Sequence, residues 1–492
     1  IPVAPICNGR TVLEHEHFQA RGVFVKNPGG EFLQPRPPYL INGESPGILK
    51  PSPGPGQHTN TDLQKPARVV SAKLSPPQPP LAGIRVLDAT AWWAGPAATQ
   101  MLAHLGAEVI HLEAIQRLDG IRMLGGRFMH RPQWWEYSGM FLGANTNKLG
   151  LTLDLDQPAG IAVAKELIAA CDIFVENYSP RVMEKFGLDW DTVHALNPRT
   201  IMVRMPAFGL SGPWKHHVGF AQTMEQITGM AWLTGYPDDQ PRIQRGPCDP
   251  LAGMNAAFAA LVALAERDRT GEGSFVECPM VEGALNAAAE QIVEYSAYGT
   301  LMQREGNRCA QAAPQGLYPC AGHRPEAEQW LALSIETGQQ WRSLQACLGN
   351  PAALAVARFQ AHADRLRNHD ELDALLTALV AGENLDSLLE RLVQHRVPAG
   401  RVWLGVQTSR HPQLLARGFY EELDHPVVGR HSYVTTPFRS RHSPRWLHQP
   451  APIVGQHNHR ILQSVLGYDE RKIAELEALQ VIGTTPQGLG GK

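Results

Sequence analysis

Apolar residues fall into a regular rhythm from residue 84 onward. Ile84-Arg85-Val86-Leu87-Asp88 reads as a buried strand. Gly95-Pro96 opens a helix that runs through Leu102-Ala103-His104-Leu105 and closes at Gly106. Ala107-Glu108-Val109-Ile110-His111-Leu112-Glu113 reads as a second strand. Strand, helix and strand in this order predict a βαβ unit and so an α/β protein with a parallel sheet. The rhythm returns in a helix over 159–170, a strand over 173–175, a helix over 181–186 and a strand over 200–204. An Ala-rich stretch from Ala252 to Glu266 predicts a buried helix. Over 326–396 the pattern changes to helices with polar loops, which predicts a separate small domain. After Val397 short strands and turns return. Residues 1–60 are rich in Pro and Gly, and residues 61–81 end in Ser75-Pro76-Pro77-Gln78-Pro79-Pro80. Such a segment predicts a stiff, extended linker.

The pattern also repeats itself. Ile1-Pro2-Val3-Ala4-Pro5-Ile6 echoes Val397-Pro398-Ala399-Gly400-Arg401-Val402. Ala20-Arg21-Gly22 matches Ala416-Arg417-Gly418, each followed by two apolar residues. Pro51-Ser52-Pro53-Gly54-Pro55-Gly56-Gln57-His58 matches Pro450-Ala451-Pro452-Ile453-Val454-Gly455-Gln456-His457. The offset is 396 at Gly22 (418 − 22) and 399 at Gly56 (455 − 56), so one three-residue indel relates the copies. The expectation is a tandem protein. Residues 1–60 would be the returning tail of a preceding unit, packed on that unit and not on residues 82–320. A linker (61–81), a large domain (82–325), a small domain (326–396), a second returning tail (397–475) and a flexible C-terminus (476–492) would follow.

Composition narrows the function. The chain has 492 residues, 43% hydrophobic and 18% charged, which suits large buried cores. A net charge of -3 offers no basic footprint for nucleic acid. No apolar run looks long enough to span a bilayer. Seven cysteines without Cys-x-x-Cys pairs point away from zinc and toward a reducing cytoplasm.

Several segments, in order, resemble the class III CoA-transferases, the family of formyl-CoA transferase, carnitine CoA-transferase and the α-methylacyl-CoA racemases. They are the opening strand Leu81–Asp88, Ala94-Gly95-Pro96 with Leu105–Ile110, and Asn147-Lys148 with Leu151–Leu155. Val175-Glu176-Asn177-Tyr178-Ser179-Pro180 with Lys185–Leu188, Asn197-Pro198-Arg199, Phe208-Gly209, Gly212-Pro213 and Thr270–Gly273 follow, and the Gly-Gln-His of the tail completes the set. The resemblance implies a Rossmann-like large domain, a small α+β domain and two units interlocked as rings. The partner would be a homodimer mate or a missing front unit. Coenzyme A, as an acyl-CoA, would be the co-substrate, with a small carboxylic acid as the other; no metal is implied.

The family's nucleophile is an Asp in a small-residue turn entering a helix, matched by Asp249 in Cys248-Asp249-Pro250-Leu251-Ala252-Gly253. Read from the residues alone, a carboxylate before Pro at a helix start is kept ionised by backbone N–H groups and the helix dipole, and an ordinary N-cap is the competing reading. The resemblance also implies CoA contacts at Asn177, Tyr178, Lys185, Lys148, Trp93 and Ala94. It places 310–316 where relatives carry a Gly-rich flap, although only Gly316 is present here.

The chain departs from the family in telling places. The racemase's Gly-His-Asp turn is Gly219-Phe220-Ala221, so both ionisable groups are missing. This disfavours racemisation and, through Ala221, an oxalate-like acceptor. Trp92-Trp93 and Trp134-Trp135-Glu136-Tyr137 suggest an aromatic cage with Phe220, against a competing reading as core aromatics. A cage would suit an onium acid: carnitine, a betaine or dimethylsulfoniopropionate. The tandem pattern resembles the fused dimethylsulfoniopropionate CoA-transferase/lyases, which add a β-elimination to the transfer. Glu136 and Glu225 are the positional candidates for its base. An acyl-CoA racemase and a non-catalytic half that completes a partner's fold are the alternative readings.

Overall fold

A computed structural model describes residues 2–45, 47, 50–61, 78–440 and 445–489. Most of the expected 61–81 linker lies outside the described residues. The chain divides into a large unit (Ile1–Trp232, Ile243–Met302 and Ala416–Lys492) and a small unit (Leu233–Arg242 and Gln303–Leu415).

The large unit is built on a seven-stranded sheet. Its strands are β1 (Leu40–Ile41), β2 (Arg85–Ala89), β3 (Glu108–Glu113), β4 (Lys148–Thr152), β5 (Ile173–Glu176), β6 (Ile201–Arg204) and β7 (Phe275–Glu277). Their spatial order is β1-β7-β6-β5-β2-β3-β4. Every pairing is parallel except β1 on β7. β4, β5 and β6 are buried at every position, because helices and loops cover both faces of a parallel sheet. Four helices matter for the site: α1 (Ala94–His104), α2 (Ala221–Ile227), α3 (Cys248–Thr270) and α4 (Met280–Ala287). α1 and α3 cross closely, since a Cβ on Gly253 would lie 2.8 Å from the Ala94 carbonyl oxygen. Small buried residues on both helices, among them Ala98, Ala252, Ala256 and Ala260, permit that approach. α3 runs beyond the expected 252–266. It is also long and apolar enough to cross a membrane, an exception to the sequence expectation, but half of it is buried in the unit's core.

The N-terminal segment corrects an expectation. Residues 7–41 pack on this chain's own large unit. β1 pairs with β7, and Val12, Phe18 and Val23 are buried in the core of that unit. Arg21 forms ion pairs of 2.8 Å with both Glu277 and Glu282. Three buried apolar side chains and two desolvated charge pairs outweigh the Pro- and Gly-rich composition that suggested a detached tail. The C-terminus is a second correction. Val481 and Ile482 are buried, the Thr152 hydroxyl donates to Gly483 O at 2.6 Å, and Gln487 N donates to Ile115 O at 2.8 Å.

The small unit is α+β and wider than 326–396. Strands Gln315–Pro319, Trp330–Ser334 and Ala399–Arg401 form an antiparallel sheet. Helices including Gly338–Cys347, His369–Val380 and Leu385–Gln394 complete its core. The expected flap is tied into this unit. Ala312 and Ala313 are fully buried, Ala313 N donates to Ile335 O at 2.8 Å, and Ile335 N donates to Pro314 O at 2.9 Å. A cavity of about 640 Å³, lined by Tyr236, Arg308, Gly316, Tyr318 and Asp373 among others, lies within the unit.

Candidate active site

Asp249 lies in the first turn of α3, where its N–H donates to Gly246 O at 3.2 Å. The turn is forced by Gly246, whose φ is +135° and whose hypothetical Cβ would meet the Trp93 ring at 2.8 Å. Only glycine fits such a position. Beneath it lies Glu225 of α2, fully buried. One Glu225 oxygen accepts from Gly246 N at 2.7 Å and the other from Arg245 N at 3.0 Å. Glu225 thus shapes the loop that presents Asp249.

The electrostatics reverse one expectation. Burial first, and the facing Glu225 second, push the Asp249 carboxyl from an ordinary 3.8 up to about 7. The helix start does not hold it ionised, because like charge and lost hydration outweigh the dipole. Near neutral pH the group is poised between acid and carboxylate, a setting suited to a nucleophile.

The predicted aromatic residues separate into two groups. Trp92 is 46% exposed and has φ +68°, a strained conformation for a bulky residue. Its backbone is pinned, since Trp92 N donates to Asp119 at 2.7 Å. Asn177 clamps the preceding residue by donating to Ala91 O at 2.8 Å and accepting from Ala91 N at 2.9 Å. The Trp92 ring rests against Gly120 and meets Phe220 edge-on at 5.6 Å. Phe220 begins α2, which carries Glu225, and Trp93 covers Gly246. Trp92, Trp93 and Phe220 therefore share the Asp249 neighbourhood. Trp134 is buried and packs on Trp135, while the Tyr137 ring is taken by Phe128 at 5.2 Å and Arg131 at 5.2 Å. Among the described residues no ring contact joins this group to Trp92, Trp93 or Phe220, so the six expected aromatics do not form one cluster.

The CoA-contact residues also divide. Lys148 is fully buried; its ammonium donates to Asp88 at 2.9 Å, Pro96 O at 2.9 Å, Thr99 at 2.8 Å and Asn145 at 2.8 Å. It is a structural ion and not a phosphate ligand, a correction to the sequence expectation. Burial would raise Asp88, but Lys148 and then His111 hold it well below the usual carboxylate range. Ala94 is buried in the α1–α3 crossing. Lys185 is exposed and pairs with Asp156 at 2.6 Å. Tyr178 is half-buried beside Asn177, and burial raises its hydroxyl. Glu136 is withdrawn as a free base: it is buried, pairs with Arg122 at 2.6 Å and accepts from Val454 N at 3.1 Å. Glu225 is likewise occupied by two amides.

Two functional features escaped sequence reasoning. Asp119 anchors Trp92 and Ile121 through one carboxylate oxygen, and burial pushes it up to about 6. Its one sequence signal is the following Gly120, which makes room for the Trp92 ring. Arg245 has φ +66° and stands exposed between the groups that hold Glu225 and Asp249. Among the described residues there is no cluster of three metal-ligating side chains.

Comparison with known proteins gives one answer. Residues 81–458 match the model of CoA-transferase family III. Succinyl-CoA–D-citramalate CoA-transferase of Chloroflexus aurantiacus is 34% identical over 82% of this chain and 99% of its own length. A probable CoA-transferase of Mycobacterium tuberculosis is 29% identical over 95% of this chain, which spans 59% of that longer protein. The crystal structure of a CaiB/BaiF family protein from Brucella suis superposes with a TM-score of 0.72 at 27% identity, over 78% of this chain and 99% of that one.

Proposed function

The chain belongs to CoA-transferase family III, and from that membership we propose that it moves CoA from an acyl-CoA to a small carboxylic acid through Asp249. The observation that carries this is the half-buried Asp249, raised to about 7 beside Glu225 and Gly246. The Asp249 carboxylate attacks the donor thioester carbonyl and CoA thiolate leaves, which forms a mixed anhydride. The thiolate then attacks the aspartyl carbonyl, releases the donor acid and leaves an Asp249–CoA thioester. The acceptor carboxylate attacks that thioester and expels CoA thiolate. The thiolate finally takes the acceptor's acyl carbon and frees Asp249. Each step is a carbonyl substitution, and the CoA thiolate expelled in the first and third steps is the nucleophile of the second and fourth. Incubation with an acyl-CoA donor alone should add the mass of CoA, less water, to the peptide that holds Asp249. Transfer that survives in Asp249→Ala would refute the assignment.

For the acceptor, the exposed Trp92 ring set edge-on to Phe220 supports an onium acid, each close ring contributing roughly 0.5–2 kcal/mol. Elimination after transfer would need Glu225 freed from its two amides. Dimethylsulfoniopropionate with acetyl-CoA tests both steps: an onium acyl-CoA supports the cage, and dimethyl sulfide supports the elimination. A dicarboxylate is the second reading, favoured by the exposed Arg245 near Asp249 and by the substrate named for the Chloroflexus relative. Citramalate accepted in place of every onium acid would decide for it.

A further inference from the structure

A row of buried polar side chains joins three strands of the large sheet and ends at Trp92. It starts at Lys148 on β4, whose ammonium donates to Asp88 on β2. The same Asp88 oxygen lies 3.1 Å from Nδ1 of His111 on β3. Against burial, Lys148 and then His111 hold Asp88 ionised, so His111 presents Nδ1–H to it. In the neutral ring Nε2 then carries no hydrogen. Nε2 faces Asp119 Oδ2 at 3.9 Å. Both residues are buried, and neither of these two atoms has a hydrogen-bond partner. Two unpaired polar atoms that face each other just beyond bonding distance mark a contact that one proton completes.

The other oxygen of Asp119 is committed. Oδ1 accepts from Trp92 N at 2.7 Å and from Ile121 N at 3.0 Å. Trp92 needs that support, since its φ of +68° is one that a bulky residue rarely keeps. Its ring is closely set as well. A Cβ on Gly120 would lie 2.4 Å from it, and Phe220 meets its edge at 5.6 Å.

We propose that Asp119 is a positioning residue with two settings, which places the Trp92 ring for the acceptor acid and is itself placed by His111. Ionised, Asp119 stays on the Trp92 and Ile121 amides. Protonated from solvent, it keeps Oδ1 on those amides and donates Oδ2–H to His111 Nε2. That bond closes the 3.9 Å gap to about 2.8 Å, so the carboxyl draws the Trp92 backbone toward β3. Burial pushes Asp119 up to about 6, which puts the changeover there. The other charges that face Asp119 are already engaged. Glu113, which accepts from Asp119 N, pairs with Arg122, and Asp88 pairs with Lys148. Burial first, and Asp119 next, raise the Tyr178 hydroxyl and keep it neutral. The role of the ring rests on the proposed contact between Trp92 and the acceptor; the anchor does not.

Fluorine NMR of protein that carries fluorotryptophan reads the anchor without turnover. Among eleven tryptophans, the Trp92 line is the one that Trp92→Phe removes. That line should move as the pH passes about 6. Asp119→Asn offers the amides an oxygen and His111 a permanent N–H, so the line should sit at its low-pH position and cease to titrate. In Asp119→Ala it should shift or broaden at every pH. A Trp92 line that ignores Asp119→Ala, or that still titrates near pH 6 in Asp119→Asn, overturns the inference. If Asp119→Ala does not fold, the asparagine form decides by the same criterion. Turnover gives the second readout, with dimethylsulfoniopropionate and with citramalate as acceptors. Asp119→Ala should raise the acceptor KM at least about tenfold, with a smaller effect on donor-only formation of the Asp249–CoA thioester, and Asp119→Asn should recover most of the loss. A line that moves as stated while neither acceptor KM rises supports the anchor and refutes the acceptor role of Trp92. Where neither acid is turned over, the fluorine line decides alone.

Discussion

Replacing Glu225 by Gln removes the negative charge that faces Asp249 and keeps the side chain's shape. Asp249 is displaced from 3.8 to about 7, roughly three pH units, or about 4 kcal/mol at about 1.4 kcal/mol each. That figure is a ceiling, because water at the half-open site screens it. Burial is the larger cause and Glu225 the smaller, so Glu225→Gln should return about one pH unit and less than half of the total. The readout is the rate of Asp249–CoA thioester formation in single turnover, with a donor acyl group that does not titrate between pH 5 and 9. The unaltered protein should lose rate with unit slope below about pH 7, and the variant below about pH 6. Glutamine keeps one acceptor for the two loop amides and sets its NH2 against the other, at a cost of about 1–3 kcal/mol of stability. A melting control separates that loss from the pH effect. An acid limb that stays in place or moves upward would refute the charge argument, and rate independent of pH from 5 to 8 would remove Asp249 from the step.

Asp249→Asn should abolish transfer and raise stability. The folded-state carboxyl titrates above its unfolded value, so its ionisation penalises the fold at high pH; the gain over the unaltered protein should be absent near pH 4, grow to about pH 7 and level off, as denaturant titrations below, at and above that pH would show. Lys148→Met strands Asp88 without its cation in the core and should cost about 3–5 kcal/mol in chemical denaturation, against little loss for Lys185→Met at its exposed pair; equal small losses would contradict the structural role. Buried His17 donates through Nε2 to Phe208 O at 2.7 Å and accepts Trp214 N through Nδ1 at 3.1 Å, and burial lowers it from 6.5 to about 4. A lowered base stabilises above 6.5 and loses that stability as pH falls toward 4, so hydrogen exchange should show residues 7–26 opening over that interval before the central sheet.

The parts of the fold visible in the sequence are those fixed by local pattern. β2, β3, β5 and β6 read as buried strands because a covered parallel sheet favours consecutive apolar residues, as in Val86-Leu87, Val109-Ile110, Ile173-Phe174-Val175 and Ile201-Met202-Val203. Asp249 stands out through the resemblance of its turn, Cys248 to Asn255, to the family's, because the turn is local; its residues alone read equally as an ordinary N-cap. Pairings across long stretches of chain left no such sign. Lys148 looks like a surface lysine until Asp88, sixty positions earlier, closes on it. Trp92-Trp93 and Trp134-Trp135 look like one cluster because aromatic type says nothing of which core a ring enters. The ionisation of Asp249 was misread for the same reason, since the helix start is local and Glu225 comes from another helix.

The repeat shows the same limit in its most consequential form. Likeness between the copies speaks to their local structure; it does not say where each segment packs. A returning tail seated wholly on its own unit, as first expected, would leave 7–41 exposed here and 397–458 fully covered. The structure instead buries Phe18 and Pro452 while it exposes residues 50–60 and Trp403. The two copies are therefore covered in different parts, the first at Phe18 and the second at Pro452. The Asp249 loop hangs from α2, which also receives Cys7 through Gln226 O. Seating of the N-terminal segment and presentation of Asp249 thus share one helix, so loosening residues 7–26 should lower the transfer rate, read in a CoA-transfer assay, before it unfolds the sheet.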